Sequence, residues 1–220
     1  MAEVSIGTAM RTAHFSSAYA ARVAICGLIA MTLLYAASKP VPAQQAHILL
    51  DDQKARATAI EVSLAEPYTL KADKRGSVWV ALDPFILSKN KGGQKSSKRV
   101  RAGDAEIVGS DEELQFRTES GLRARLVVID PRMPHQELTV SPFTLSSSIE
   151  DASERNATLL VAISDCRFRD VRNLGDESEW TPSKPQIVAM SVGNVKWIRP
   201  GIHHFKNLGL ATANLVSIEW

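Results

Sequence analysis

The sequence predicts an all-β protein, a sandwich or closed barrel made of short strands, and three observations carry that expectation. Ile60-Glu61-Val62-Ser63-Leu64, Leu114-Gln115-Phe116, Val195-Lys196-Trp197-Ile198 and Leu215-Val216-Ser217-Ile218 alternate apolar and polar residues, which is the two-residue period of a half-buried strand. Glycine, proline, asparagine and aspartate separate such segments at short intervals, and no window outside the N-terminus gives a long amphipathic helix. Four blocks then recur in one order: Val78–Leu82 with Leu159–Ile163, the turn around Gly103 with that around Gly193, Glu119–Gly121 with Asn207–Gly209, and Leu126–Asp130 with Leu215–Glu219. Their offsets are 81, 90, 88 and 89 residues, so the expectation is two repeats of about 90 residues.

Taken in chain order, the first segment stands apart. Val23 to Ala37 is fifteen residues without a charge, preceded by Arg11 and Arg22 and followed by Ser38-Lys39-Pro40-Val41-Pro42-Ala43. A basic start, an apolar run and a small-residue exit are the marks of a signal peptide, and the run is short of the roughly 20 apolar residues a spanning helix needs. Residues 1–43 are therefore predicted to be a signal peptide cleaved before Gln44, or alternatively a retained inner-membrane anchor. Either way the remainder is periplasmic or secreted, and any membrane contact runs through this segment. Its removal takes away Arg11, Arg22 and Lys39 against Glu3, so 26 basic and 24 acidic residues become 23 of each. A net charge of zero argues against bulk electrostatic binding of nucleic acid. Cys166 is then the lone cysteine, which excludes an internal disulfide; it reads as a small apolar filler beside Phe168.

Residues 44–130 form the predicted first repeat. Its one charge run, Lys89, Lys91, Lys95, Lys98, Arg99 and Arg101, is mixed with glycine and serine and reads as a flexible, solvated hairpin loop. Lacking interleaved aromatics, it does not support base stacking. Residues 131–220 form the predicted second repeat.

The last 28 residues, Gly193 to Trp220, contain a glycine corner, a strand, Pro200-Gly201, His203, His204 and Asn207. This order resembles the second sequence motif of the cupins, with Gly193, Pro200, Gly201, His203 and Asn207 on the motif's residues, although the glycine-to-proline gap is one longer and the proline-to-histidine gap two shorter. The resemblance implies a double-stranded β-helix, or jelly roll, for each repeat, in the manner of a bicupin. It also implies where a metal would sit: two histidines one residue apart and a glutamate a few positions later on one strand pair, with the second-motif histidine. Such ligands suit a divalent metal that prefers nitrogen and oxygen. The corresponding stretch, Ser141 to Leu160, has no histidine, and neither does Tyr68 to Val78. The standard site is thus missing from both repeats, and no cofactor is expected. A non-standard divalent site would have to draw on His203 with Glu150 or Glu154, with Asp151 and His135 as further donors.

Neighbouring residues on a strand face opposite sides, so at most one of His203 and His204 points inward, and the spacing to Asn207 favours His203. His203 is accordingly the candidate ligand-binding residue, either for a carboxylate or hydroxyl or as a hydrogen-bonded core histidine. Trp197 is the candidate aromatic wall of a barrel mouth, and Trp180 reads as exposed. Three classes of function follow: an exported binder of a small molecule or protein partner, a metal-dependent enzyme of dioxygenase or isomerase type with an atypical ligand set, and a structural subunit of a homo-oligomer or other assembly. No nucleotide fingerprint, phosphate loop or catalytic triad is legible.

Overall fold

The computed structural model describes residues 46–220 apart from 73, 120–121, 133–137, 148–149 and 175–180. The predicted leader, His135 and Trp180 lie outside the described residues. Among the described residues every regular element is a β-strand.

The first repeat contributes β1 (Ala46–Asp51), β2 (Ala55–Val62), β3 (Tyr68–Lys71), β4 (Ser77–Ala81), β5 (Phe85–Lys91), β6 (Gln94–Val100), β7 (Ala105–Val108), β8 (Glu112–Arg117) and β9 (Ala124–Pro131). These make two sheets, ordered β1-β2-β9-β4-β7 and β3-β8-β5-β6. The second repeat contributes β10 (Thr139–Leu145), β11 (Glu150–Arg155), β12 (Thr158–Ala162), β13 (Cys166–Leu174), β14 (Thr181–Pro182), β15 (Gln186–Met190), β16 (Val195–Ile198), β17 (Gly201–Asn207) and β18 (Ala213–Glu219). Their sheets are β10-β18-β12-β16 and β11-β17-β13, with β14 and β15 both pairing β13. The eight strands β2 to β9 match β10 to β13 and β15 to β18 in one topology; β14 is an additional short strand on β13, and β1 an additional edge strand on β2.

Each pair of sheets encloses its own core. In the first repeat, Tyr68, Trp79, Phe85 and Phe116 fill the interior, with the Phe116 ring 5.7 Å from Trp79, 5.5 Å from Phe85 and 6.0 Å from Tyr68. The first two are edge-on and the third is stacked, and aromatic pairs of these kinds add about 0.5–1.5 kcal/mol beyond the area they bury. Lys89 then caps this interior from β5, its ammonium 2.8 Å from Glu106 and 2.9 Å from Glu112. The second repeat packs Phe143, Leu160, Phe168, Val188 and Phe205 at its apolar end.

A third cluster joins the outer faces of the β1-β2-β9-β4-β7 and β10-β18-β12-β16 sheets: Val78, Val80, Val127 and Ile129 of the first repeat meet Leu159, Val161, Val216 and Ile218 of the second. β4 and β12 are consequently buried at every position, which is why their sequences are continuous apolar runs without alternation. For the same reason Leu215–Ile218 departs from the half-buried strand its pattern suggests. Val216 and Ile218 face the first repeat, Leu215 faces inward, and the buried Ser217 shares a hydrogen bond with Ser141 at 2.9 Å.

The two repeats match in their turns as well as their strands. Gly103 N–H donates to the Ala81 carbonyl at 2.9 Å and Gly193 N–H to the Ala162 carbonyl at 2.8 Å. Ala81 N–H in turn donates to Asp104 (2.9 Å) and Ala162 N–H to Asn194 (3.0 Å). Both glycines have positive φ, 89° and 86°, a conformation that costs a side chain strain. They also trade contacts across the seam: a Cβ on Gly193 would lie 2.9 Å from Leu82 Cδ1, and one on Gly103 would lie 3.8 Å from Ile163. Leu82 and Ile163 occupy equivalent places, so each repeat inserts the same residue over the other's glycine, as in a two-fold interface.

The basic run is a regular hairpin, where the sequence suggested a flexible loop. β5 and β6 pair from Phe85↔Val100 to Lys91↔Gln94 around Gly92-Gly93. Four of its six cations find acids: Lys89 as above, Lys91 to Glu112 at 2.9 Å, Lys98 to Glu106 at 3.2 Å and Arg99 to Glu119 at 2.8 Å. Charged side chains on an exposed edge strand such as β6 discourage pairing with another chain.

Candidate functional site

The site residues are set by the phase of β17 and its neighbours. Because facing residues of an antiparallel pair share a side of the sheet, the pairings Ser153↔His203 and Arg172↔His203 put those three side chains on the interior face. His203 is 2 % exposed, stacked on Phe205 with the rings 7° from parallel. Its Nδ1 lies 2.7 Å from Asp170 Oδ1 and its Nε2 lies 2.8 Å from the Arg199 carbonyl oxygen. Both ring nitrogens are thus within hydrogen-bond distance of oxygen atoms of neighbouring residues. His204 points outward, where its Nε2 is 3.2 Å from the Asn173 side-chain nitrogen. Asn207, the last residue of the motif, is buried and fully engaged: it donates to the carbonyls of Leu145 (3.0 Å) and Ala211 (2.8 Å) and accepts from Gly209 N–H (2.8 Å). Its role is to fix the β17–β18 turn.

The other sequence candidates do not join His203. Glu150 pairs with Lys206 and Glu154 with Ile202, so both are exposed on the outer face of the sheet, and Glu150 meets Arg169 there at 3.5 Å. Asp151 is opposite Phe205, one step further from the cleft. The inward positions on β11 beside His203 are Ser153 and Arg155. Arg155 Nη1 donates to Glu219 at 3.0 Å, its Nε donates to Ser153 Oγ at 3.0 Å, and its guanidinium lies 4.4 Å from the Phe143 ring centre. This is a strut from the β11 sheet to the β18 sheet through the barrel's polar end. Trp197 is opposite Leu159, on the face that packs against the first repeat. Its indole N–H donates to Asp52 Oδ2 at 2.7 Å and its ring lies 4.9 Å from that of Trp220, so it ties the β1–β2 turn to the second repeat. Burial alone would raise the Asp52 carboxyl, but the N–H groups of Ala55 and Lys54 and the Trp197 indole more than offset it and hold it below the ordinary value.

What the strands do bring together is a cleft of about 440 Å³ between β16 and the β13–β15 edge. Asp170, Arg172, Lys196, Arg199 and His203 border it, with Ser183 and Gln186 on its rim and Trp197 and Ile198 at its wall. Lys196 faces inward because it is opposite Leu160. Arg172 is anchored: its backbone N–H donates to Ser183 Oγ at 3.0 Å and its Nη1 to the Pro200 carbonyl at 3.4 Å. Asp170, Arg172, Lys196 and Arg199 were not singled out by sequence reasoning. The signal available for the first two was the alternation Cys166, Phe168, Asp170, Arg172 on the inner face of β13. A second, wider cleft of about 480 Å³ lies around Cys166, Met190 and Asn207. There burial pushes the Cys166 thiol up, against a hydrogen bond with the Met190 backbone, which leaves little reactive thiolate.

No family model matches the chain, and no curated relative is found. Solved structures do match. A conserved protein of unknown function from Pseudomonas aeruginosa superposes with a TM-score of 0.59 at 12% identity over 80% of this chain and 89% of that one. AerE from Microcystis aeruginosa gives 0.57 at 8% over 82% and 93%. An oxalate decarboxylase gives 0.55 at 9% over 80% and 75%, and the vicilin from Capsicum annuum 0.53 at 8% over 76% and 75%. The fold is cupin-like. An enzyme and a vicilin share it, and at these identities the likeness is one of fold alone.

The cupin-like metal arrangement can be tested on the residues present, and they do not fit it. His203 has both nitrogens within hydrogen-bond distance of acceptors, and the two inward positions beside it on the neighbouring strand are a hydroxyl and a guanidinium, neither of which suits a divalent cation. Among the described residues no group of three or more histidine, cysteine, aspartate or glutamate side chains could hold a metal ion.

Proposed function

We propose that this protein is exported and that the second of its two cupin-like repeats binds a small molecule in the cleft between β16 and the β13–β15 edge, without metal catalysis. The observation that carries the reading is the contrast between the repeats. The first is filled by Tyr68, Trp79, Phe85 and Phe116 and capped by Lys89, whereas the second keeps a polar cleft of about 440 Å³, the size of a small-ligand site. Export is supported by the Arg11 and Arg22 start, the apolar run Val23–Ala37 and the Val41-Pro42-Ala43 exit.

Thermal denaturation of the purified full chain against a panel of metabolite-sized compounds tests the binding. A compound that raises the midpoint in the wild type but not in Gln186→Trp, which fills the cleft from its rim, supports the reading; a panel with no such compound defeats it. Stoichiometric iron, manganese or zinc that is lost on His203→Ala would favour the metal enzyme instead. For export, the mature N-terminus recovered from a bacterial periplasm should be Gln44, and an intact N-terminus in the membrane fraction would favour the anchor.

A further inference from the structure

Resting on that reading, we infer that the cleft selects small organic anions, carboxylates or phosphates, through Lys196 and Arg199 with Arg172 as a fixed cation between them. The charge balance of the cleft is the first argument. Its one carboxylate, Asp170, is hydrogen-bonded to His203 at 2.7 Å, so it is committed before a ligand arrives. Arg172, Lys196 and Arg199 face it with no acidic partner among the described residues, whereas Lys89, Lys91, Lys98, Arg99, Arg123, Arg125 and Arg155 elsewhere each sit against a carboxylate. Other cations among the described residues, Lys95 and Arg101 of the hairpin included, also lack a carboxylate partner, but Arg172, Lys196 and Arg199 are gathered around one concavity whose single carboxylate is already bonded to His203.

The second argument is positional. Lys196 lies on the interior face of β16, opposite Leu160, and is half-buried, where an ammonium loses part of its hydration and gains by meeting an anion. Arg172 is held by its own backbone and by the Pro200 carbonyl, which leaves its other guanidinium N–H groups free for an incoming oxygen. The anion's charge would meet guanidinium and ammonium groups, and the rim amide of Gln186 offers a neutral donor and acceptor for a neighbouring hydroxyl. Charge-assisted hydrogen bonds of this type are worth about 1.5–3 kcal/mol each, so removal of one should weaken binding by roughly ten- to a hundredfold.

Isothermal titration of the full chain with inorganic phosphate, succinate, citrate and glucose, at low and at physiological salt, tests this. The expected result is that at least one of the three anions binds, more weakly as salt rises. Its affinity should fall at least about tenfold in Lys196→Gln and in Arg199→Gln and stay at the wild-type level in Lys95→Gln, which neutralises an exposed lysine of β6. Unchanged affinity in Lys196→Gln, with an unchanged melting temperature, would overturn the assignment. Glucose binding that Gln186→Trp abolishes, with none of the three anions bound, would defeat the anion inference and leave the cleft a ligand site. Loss of the wider compound panel from the cleft would instead defeat the reading on which the inference rests. Phosphate binding without succinate or citrate assigns the ligand's head group as phosphoryl, and the reverse assigns a carboxylate.

Discussion

Gly193→Ala should destabilise the protein more than its twin Gly103→Ala, and the difference should be traceable to one methyl group of Leu82. Both glycines have φ near +90°, where an alanine carries about 1–3 kcal/mol of backbone strain. At Gly103 the added methyl meets Ile163 at 3.8 Å, an ordinary contact, so the backbone cost stands alone. At Gly193 it would lie 2.9 Å from Leu82 Cδ1, and Leu82 is itself only 5% exposed, at the seam between repeats. Forcing an extra carbon into such a place costs about 1–3 kcal/mol more. The expected loss is therefore about 2–5 kcal/mol for Gly193→Ala, which for a domain of this size lowers the melting temperature by roughly 5–15 °C, against about 1–3 kcal/mol for Gly103→Ala. Urea unfolding followed by tryptophan fluorescence reads both. In a Leu82→Ala background the clash disappears, so the cost of Gly193→Ala should drop to that of Gly103→Ala, a coupling of about 1 kcal/mol or more. Equal costs for the two glycines, or additivity in the double variant, would refute the exchange of side chains across the seam.

Three further outcomes follow from the packing. Asp170→Ala leaves Nδ1 of the buried His203 without its partner and should cost about 1–3 kcal/mol in urea unfolding at neutral pH, with the loss largely removed in the Asp170→Ala/His203→Phe pair. Asn207→Ala unpairs the Leu145 and Ala211 carbonyls and Gly209 N–H and should cost about 2–4 kcal/mol by the same measurement; Asn207→Asp, which turns an acceptor oxygen toward those two carbonyls, should cost at least as much. In the first repeat, hydrogen bonds from Lys89 and then Lys91 hold the Glu112 carboxyl below its ordinary value, against a smaller opposing effect of burial. A carboxylate depressed in the folded state contributes stability above its unfolded value of 4.5 and loses it as pH falls through the folded value. Stability measured from pH 6 down to about pH 3 should therefore fall more steeply in the wild type than in Glu112→Gln, and parallel curves would exclude this role.

How far the sequence could be read depended on whether the relevant information was local. The strand–turn grammar around Gly193, Pro200 and Asn207 is local, and so is the duplication of the continuous apolar runs at Val78 and Leu159; both led directly to the repeated cupin-like architecture. The two-residue period of a strand allowed only one of His203 and His204 to point inward, and the spacing to Asn207 favoured His203. Its companions could not be found the same way, because they are set by the register between β11 and β17, and a shift of one residue exchanges the whole inner set for the outer one. The observed register turns Ser153 and Arg155 inward and Glu150 and Glu154 out. Trp197 borders the cleft, but its contacts with Asp52 and Trp220 depend on the packing of β16 against the other repeat, which a period alone does not reveal. Asp170 and the cleft cations depend on β13 lying beside β17 and across from β16, pairings between segments far apart in sequence. The lysine-rich hairpin resembled a loop because its composition is polar, although its acidic partners Glu106, Glu112 and Glu119 sit on neighbouring segments and make it an ordered ribbon.

The exchange of Leu82 and Ile163 across the seam has a consequence for how the molecule divides its labour. An interface in which each half offers the same patch can be assembled from two identical chains as readily as from one duplicated chain. Joining the halves covalently makes their association intramolecular, at an effective concentration that only a tether provides. Identical subunits must compromise, since every residue appears in both copies, but tethered halves are free to differ. Here one half has filled its barrel with four aromatic rings and closed it with paired charges. The other keeps a charged cleft at its polar end, a condition that a lone half of this size could less easily sustain.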